Sequence, residues 1–337
     1  MTMPTIQGTT ATEDTARTGN PVVVGLGIAA GGLTAAADLL RVGPAVPEPG
    51  DRPLPDPAAF DPAPLIGGRG LRYKDRATRL ALLAATYALE QAGLSGVEPD
   101  EATGVVVSSN FGNLDTVCRV ARVIRAEGVR GTSPMDLPNA SSNVIASSVA
   151  IKFGLRGPNL MVCNGATSGL DAMYWASVLI GSGRVRRVLA IGVETSNPTV
   201  GELVGTMFDG AAALVLETAE SARDRGIEAL ATVGGYARRA DAARAADAAL
   251  RADGGPAGIG LLLADAGQAP PPGAGQADGR DLEALVGPCS GALGALQCLA
   301  AVAWLRAEGR GAALAVAGAD ADDGSAALVL RAAGGPR

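Results

Sequence analysis

The stretch Gly157 to Ala172, GPNLMVCNGATSGLDA, constrains the fold more than any other part of the chain. Leu160 to Cys163 is a short apolar run of the kind that forms a buried strand. Asn164, Gly165 and Ala166 then make a tight turn of small residues, and a helix opens at Thr167 or Ser168. From there to Ile180 the helix is apolar on every side, which predicts burial in a core rather than on a surface. Such an elbow pushes out the side chain at its tip and sets it at a helix N-terminus, where negative charge is stabilised. Enzymes use this geometry to hold a nucleophile. Here the tip is Ala166, which offers none.

The count of histidines narrows the chemistry further, because it is zero. That removes the commonest general base, the Ser-His and Cys-His arrangements, and imidazole metal sites. The four cysteines, Cys118, Cys163, Cys289 and Cys298, have no CxxC spacing, so no metal site is expected and no cofactor is implied. Without close pairing they read as reduced thiols of a cytoplasmic protein. A net charge of −6 without a basic run argues against nucleic acid as a partner. Residues 1–19 are polar, lack the apolar segment of a signal peptide and read as a disordered tail. The longest apolar helix candidate, Gly291 to Leu305, is too short for a bilayer and carries Gln297, so no membrane partner is expected.

Along the chain, strand and helix signals alternate. Pro21 to Gly25 begins a strand, and GLGIAAGG is a turn into a helix LTAAADLLRV. Residues 43–70, rich in Pro, Gly and Asp, form a surface loop. Asp75 to Gly93 is an amphipathic helix with Leu80, Leu83, Ala84 and Tyr87 on one face and Gly93 as its stop. A strand at 104–108 and helices at 113–127 and 140–153 follow, the last with Ile145, Val149 and Phe153 spaced by four. After the elbow come strands at 188–193 and 211–216. A second, shorter unit has strand 228–236, a segment at 258–265, a linker at 266–279, helix 291–307 and strands 312–317 and 326–330. The expected division is a tail at 1–19, one half at 20–225 and a shortened half at 226–337.

Each remaining motif has a plain structural reading beside the chemical one. Gly25, Gly27 and Ala30 fit GxGxx(G/A), formally a dinucleotide fingerprint, but the acidic residue expected about 20 positions on is replaced by a Pro-rich loop. Gly165-Ala-Thr167-Ser-Gly169 resembles a nucleophile motif centred on threonine, yet no histidine can activate the hydroxyl. Thr167 and Ser168 therefore read as helix caps. Cys163 is a small hydrophobe on a strand, and Cys289 sits before a glycine-rich helix that could depress its pKa. Asp171, Glu194 and Asp209 read as cap or turn residues.

The segments DRATRLALLAATYALEQAGL, SPMDLPNASSNVIASSVAIKFGLRGPNLMV, ATSGLDA and MFDGAAALVLE resemble the β-ketoacyl synthase family. The resemblance is collinear from about residue 21 to 217 and looser afterwards. It implies a thiolase-like α/β fold layered α-β-α-β-α, with two related halves and the second shortened. In that family the acyl-accepting cysteine falls on Ala166. The resemblance places the catalytic histidines at Arg244, by way of Gly235-Tyr236, and at Pro288, and the lysine at Glu283. All of these catalytic positions are degenerate.

That pattern is similar to the chain length factors of type II polyketide synthases. It implies a catalytically inactive subunit in a heterodimer with a ketosynthase α-subunit, reaching acyl carrier protein through the complex. The polyketide chain would lie in a tunnel at the interface. The tunnel residues fall on Leu114, Val117 and Ala121, and the small Val117 and Ala121 suit a long or reduced polyene chain; the plain alternative is helix-face packing. A rival reading is a diverged thiolase-fold acyltransferase using Cys163 or Cys289. A third is a scaffold that binds carrier protein without lining a tunnel.

Overall fold

The computed structural model describes residues 19–41, 59–67, 70–96, 100–266, 271, 277–308, 310–318 and 323–334. Nearly all of the expected tail, and most of the expected loop at 43–70 and linker at 266–279, lie outside these residues. The described residues include ten strands: β1 (Val22–Ala30), β2 (Thr103–Ser108), β3 (Asn159–Val162), β4 (Arg187–Glu194), β5 (Gly210–Glu217), β6 (Ala231–Arg239), β7 (Ile259–Leu263), β8 (Asp278–Arg280), β9 (Ala312–Ala317) and β10 (Ser325–Ala332). Their hydrogen-bonded order is β3-β2-β4-β5-β1-β6-β10-β9-β7-β8.

That order contains a repeat. In the first five strands β1 runs antiparallel to β5 and β5 to β4, while β4, β2 and β3 are parallel. The last five reproduce the pattern, with β6, β10, β9, β7 and β8 in the same places. Among the described residues, the strand pairing that joins the two sets is Val22–Thr232 and Val23–Ala231.

The helices are α1 (Ala63–Ile66), α2 (Arg76–Gln91), α3 (Leu114–Glu127), α4 (Asp136–Asn139), α5 (Val144–Phe153), α6 (Ser168–Gly181), α7 (Pro198–Val204), α8 (Ala219–Asp224), α9 (Ala242–Ala252), α10 (Glu283–Val286) and α11 (Leu293–Glu308). Helices α2 and α5 cover the outer face of the first strand set, and α9 covers that of the second. Between the sets lie α6 and α11, in the largest apolar core. The result is five layers, α-β-α-β-α, the thiolase-like arrangement with two related halves and a slighter second one. Strands buried on both faces read as continuous apolar runs, which is why VVVS, VLAIGVE and AAALVLE carry no alternation.

Several local expectations are corrected. The GLGIAAGG segment is no turn: β1 runs through it to Ala30. A Cβ on Gly25 would stand 2.2 Å from Ala88 O, and one on Gly27 2.0 Å from Ala84 O. These glycines let α2 press against the strand, and the dinucleotide fingerprint dissolves. The LTAAADLLRV helix shrinks to a 3-10 turn at Ala36–Leu40, held by Asp38 Oδ2, which accepts from Thr34 N (2.7 Å) and Ala35 N (2.9 Å). The helix expected from residue 140 starts at Val144. The carbonyls of Asn139 and Ser141 are taken by Asn113 Nδ2 (3.2 and 2.9 Å), which holds that stretch as a turn. Helix α6 is buried through Met173, but Tyr174 and Trp175 are 40% and 44% exposed. With its opening turn, α11 spans Ser290–Glu308, long and apolar enough to cross a membrane, contrary to the expected length; 72% of the stretch is buried inside this fold.

Candidate functional site

The elbow forms as its sequence requires. β3 delivers Cys163 and Asn164, Gly165 takes φ +71°, and a 3-10 turn at Gly165–Thr167 leads into α6. A positive φ is cheap only for glycine. Ser168 Oγ accepts from Asn164 N (2.6 Å) and donates to Gly165 O (2.7 Å), so it fastens the turn. Thr167 is buried and its hydroxyl donates to Asp171 Oδ2 (2.9 Å); it caps no helix N–H. Both hydroxyls are thus committed to structure, though not as simple caps.

Asn110, which the sequence did not single out, ties the elbow to the start of α11. Its Nδ2 donates to Gly165 O (2.9 Å) and Ser290 Oγ (2.8 Å), and its Oδ1 accepts from Gly165 N (3.2 Å). Ser290 is held at φ +44°, left-handed backbone that a non-glycine residue seldom adopts.

The buried carboxylates do more than cap. Glu194 accepts from Asn110 N (2.6 Å), Gly291 N (3.0 Å), Phe111 N (3.1 Å) and Ser109 Oγ (3.1 Å), binding the ends of β2, β4 and α11 together. Burial outweighs those donors and pushes its pKa up to about 7. Asp171 accepts from Thr167, from Asn164 Nδ2 (2.9 Å) and, through a very short bond, from Tyr236 OH, whose ring stacks on Tyr174 at 4.3 Å. Asp209 accepts three bonds from Arg76, two from Nε and one from Nη2 (2.6–3.0 Å), and one from Ser196 N (3.1 Å).

Behind Ala166 lies a cavity of about 90 Å³, walled among the described residues by Asp265, Asp281, Glu283 and Gln297 with others, and by no lysine or arginine. Glu283 accepts from Cys289 N (2.6 Å), and burial with the charges of Asp281 and Asp265 raises its pKa. Ala166 and Glu283 thus line one and the same cavity. Pro288 is exposed beside Cys289, its carbonyl accepting from Phe208 N (2.8 Å). Arg244 is a correction. It lies on α9, a surface helix, pairs with Asp241 at 3.4 Å and does not reach the cavity. Of the residues just after β7, Asp265 lines the cavity. Its signal was an Asp closing the apolar run IGLLLA. Gln297 was visible too, as a polar residue in an apolar helix.

Neither candidate thiol is activated. Cys289 is fully buried, donates to Gly287 O (3.1 Å), and burial with nearby carboxylates pushes its pKa far up. Cys163 donates to Ser109 O (2.9 Å), and burial and Glu194 raise its pKa. Leu114, Val117 and Ala121 share the outer side of α3, half-buried for Leu114 and exposed for the others, while Thr116 and Val120 face inward.

A five-layered thiolase-like scaffold with a central strand–turn–helix elbow is the architecture of the ketosynthases. Residues 41–207 match the family described as beta-ketoacyl synthase, N-terminal domain. Over those residues the chain carries the β-ketoacyl synthase family's N-terminal domain pattern. It is similar to 3-oxoacyl-(acyl-carrier-protein) synthase 2 of Vibrio cholerae, 27% identical over 62% of this chain and 57% of that protein. The match thus spans little more than half of that relative's length. Among solved structures it is similar to the ishigamide ketosynthase/chain length factor, with TM-score 0.75 and 26% identity, covering 94% of this chain and 100% of that one. A type II polyketide synthase acyl-carrier protein in complex with its ketosynthase bound to the hexaketide shares the fold alone, at TM-score 0.76 and 17% identity over 93% and 99%.

Proposed function

We propose that this chain is a catalytically inactive chain length factor: the partner of an active ketosynthase α-subunit and one wall of its polyketide tunnel. The observation that carries this reading is Ala166 at the tip of an intact elbow, facing carboxylates where acyl transfer would need a nucleophile and a base. The likeness to the ishigamide ketosynthase/chain length factor over its full length supports it. So does the surface beside β3, which among the described residues is an edge strand paired with β2 alone. Ile151, Leu137 and Val129, which are 80%, 58% and 67% exposed, lie in the segments around it and α3. An edge strand with exposed apolar neighbours is a surface that a partner chain covers. A permanent complex of this type buries upwards of ~2,000 Å² in total. The small Val117 and Ala121 on the outer side of α3 would leave room for a long or reduced polyene chain, and acyl carrier protein would be met through the complex.

The test is co-expression with a ketosynthase encoded beside it, followed by native mass spectrometry and product analysis. A one-to-one heterodimer whose turnover disappears when the ketosynthase cysteine is replaced supports the reading. Acyl transfer by this chain alone would overturn it.

A further inference from the structure

Aromatic residues are scarce in this chain, yet half of its four tyrosines and one of its two tryptophans line a single groove of about 460 Å³. Tyr174 and Trp175 come from α6 and Tyr236 from β6. Tyr174 stacks on Tyr236 at 4.3 Å, and Trp175 stands tilted against Tyr174 at 6.1 Å. The Tyr236 ring is fixed through its hydroxyl, which donates to Asp171. The rings thus form a platform before anything binds, and Tyr174 and Trp175 remain exposed on it. A flat apolar body laid over such rings removes their surface from water and gains stacking besides.

A second, independent observation supplies the charge. Arg238 and Arg239, at the end of β6, line the same groove and are exposed. Among the described residues neither pairs with a carboxylate, although the chain carries a net charge of −6. Arg239 Nη1 donates to Arg238 O (2.7 Å), and the remaining donors of both guanidinium groups face no acceptor among those residues. The carboxylate in the groove wall, Asp171, already accepts from three donors. Two guanidinium groups against one engaged carboxylate make the groove positive. A guanidinium holds a carboxylate by paired hydrogen bonds and also stacks on aromatic faces. The volume lies within the range of small-molecule sites.

We propose that this groove binds an aromatic or otherwise planar carboxylate. Its flat body lies on Trp175 and Tyr174, and its anionic end is held by Arg238 and Arg239. The ligand is a free acid, bound without a covalent bond to the chain. The site uses neither Ala166 nor the outer side of α3, so it is independent of the inactive reading above.

The experiment titrates the full chain by isothermal calorimetry with three probes. These are naphthoate, its neutral counterpart naphthamide, and cyclohexanecarboxylate, an anion without a flat face. Naphthoate is expected to bind about tenfold more tightly than either of the others. Arg238→Gln combined with Arg239→Gln should abolish the preference for the acid over the amide. Trp175→Leu should weaken both naphthyl probes severalfold. All three side chains are exposed, so the melting temperatures of the variants should match wild type, which separates lost binding from lost fold. Equal affinity for acid and amide, a preference that survives the double arginine substitution, or no binding of naphthoate at about 1 mM would overturn the proposal. None of these results bears on the inactive reading, which is decided by turnover.

Discussion

Gly169 of α6 and Gly294 of α11 lie backbone against backbone between the two sheet halves. A Cβ on Gly169 would stand 2.6 Å from Gly294 N, and one on Gly294 2.3 Å from Leu170 N. Each obstacle is main chain, which cannot swing aside. Gly169→Ala or Gly294→Ala should therefore cost about 3 kcal/mol or prevent folding, at the upper end of overpacking effects. Gly201→Ala in α7 meets nothing within 4 Å and should instead gain about 0.5–1 kcal/mol. Urea unfolding of the three variants checks the contrast. Equal midpoints would mean that the helices are not in close contact.

Glu194 makes the stability depend on pH. Its pKa is raised from 4.5 to about 7, so the folded chain holds that proton more tightly than the unfolded chain does. Its contribution is full below about pH 4.5 and is lost as pH rises through about 7. The difference amounts to on the order of 3 kcal/mol. Glu194→Gln removes the titrating group; its Oε1 can still accept, but its NH2 replaces one carboxylate oxygen and faces a backbone donor, so the variant starts less stable. Its denaturation midpoint should nonetheless change less than wild type between pH 5 and 8. Parallel profiles would show that the four donors, and not burial, govern this carboxylate.

The elbow and the order of strand and helix were legible because buried strands and a helix apolar on all sides leave strong marks in sequence. Ala166 could be placed for the same reason, since a tight turn between two such elements admits few registers. The glycines of β1 were misread because close helix packing and a phosphate-binding turn ask for the same residue; only contact with Ala84 and Ala88 separates the two. Arg244 lies away from the cavity because the segment after β6 winds into the surface helix α9. The cavity wall was largely illegible, because Asp265, Asp281 and Gln297 meet only through strand pairing between distant segments.

A second buried charge cluster fixes the base of the first strand set. Glu217 is fully buried, accepts from Arg225 (2.8 Å) and Ser221 Oγ (2.9 Å), and lies 3.8 Å from Arg187. Arg187 also pairs with Asp100 at 2.8 Å, which helps hold the Asp100 carboxyl below its usual range. Glu217→Ala leaves Arg225 facing no carboxylate, at a cost of about 3–5 kcal/mol. Adding Arg225→Met should return part of that loss. Thermal denaturation of the single and double variants closes the cycle, and strict additivity would show that the pair is not coupled.

Ala121 separates a tunnel wall from an ordinary helix face. It is exposed on α3, so Ala121→Trp meets no packed neighbour within the chain and should shift stability by no more than about 0.5 kcal/mol. In the heterodimer proposed above, the same indole would project into the space meant for the growing chain. The expected outcome is an intact complex that releases a shorter product, with Val117→Trp acting in the same direction one turn nearer the elbow. Product length is read by mass spectrometry after native mass spectrometry has confirmed assembly. Unchanged length from an assembled complex would mean that this side of α3 only packs against the partner, and that chain length is set elsewhere.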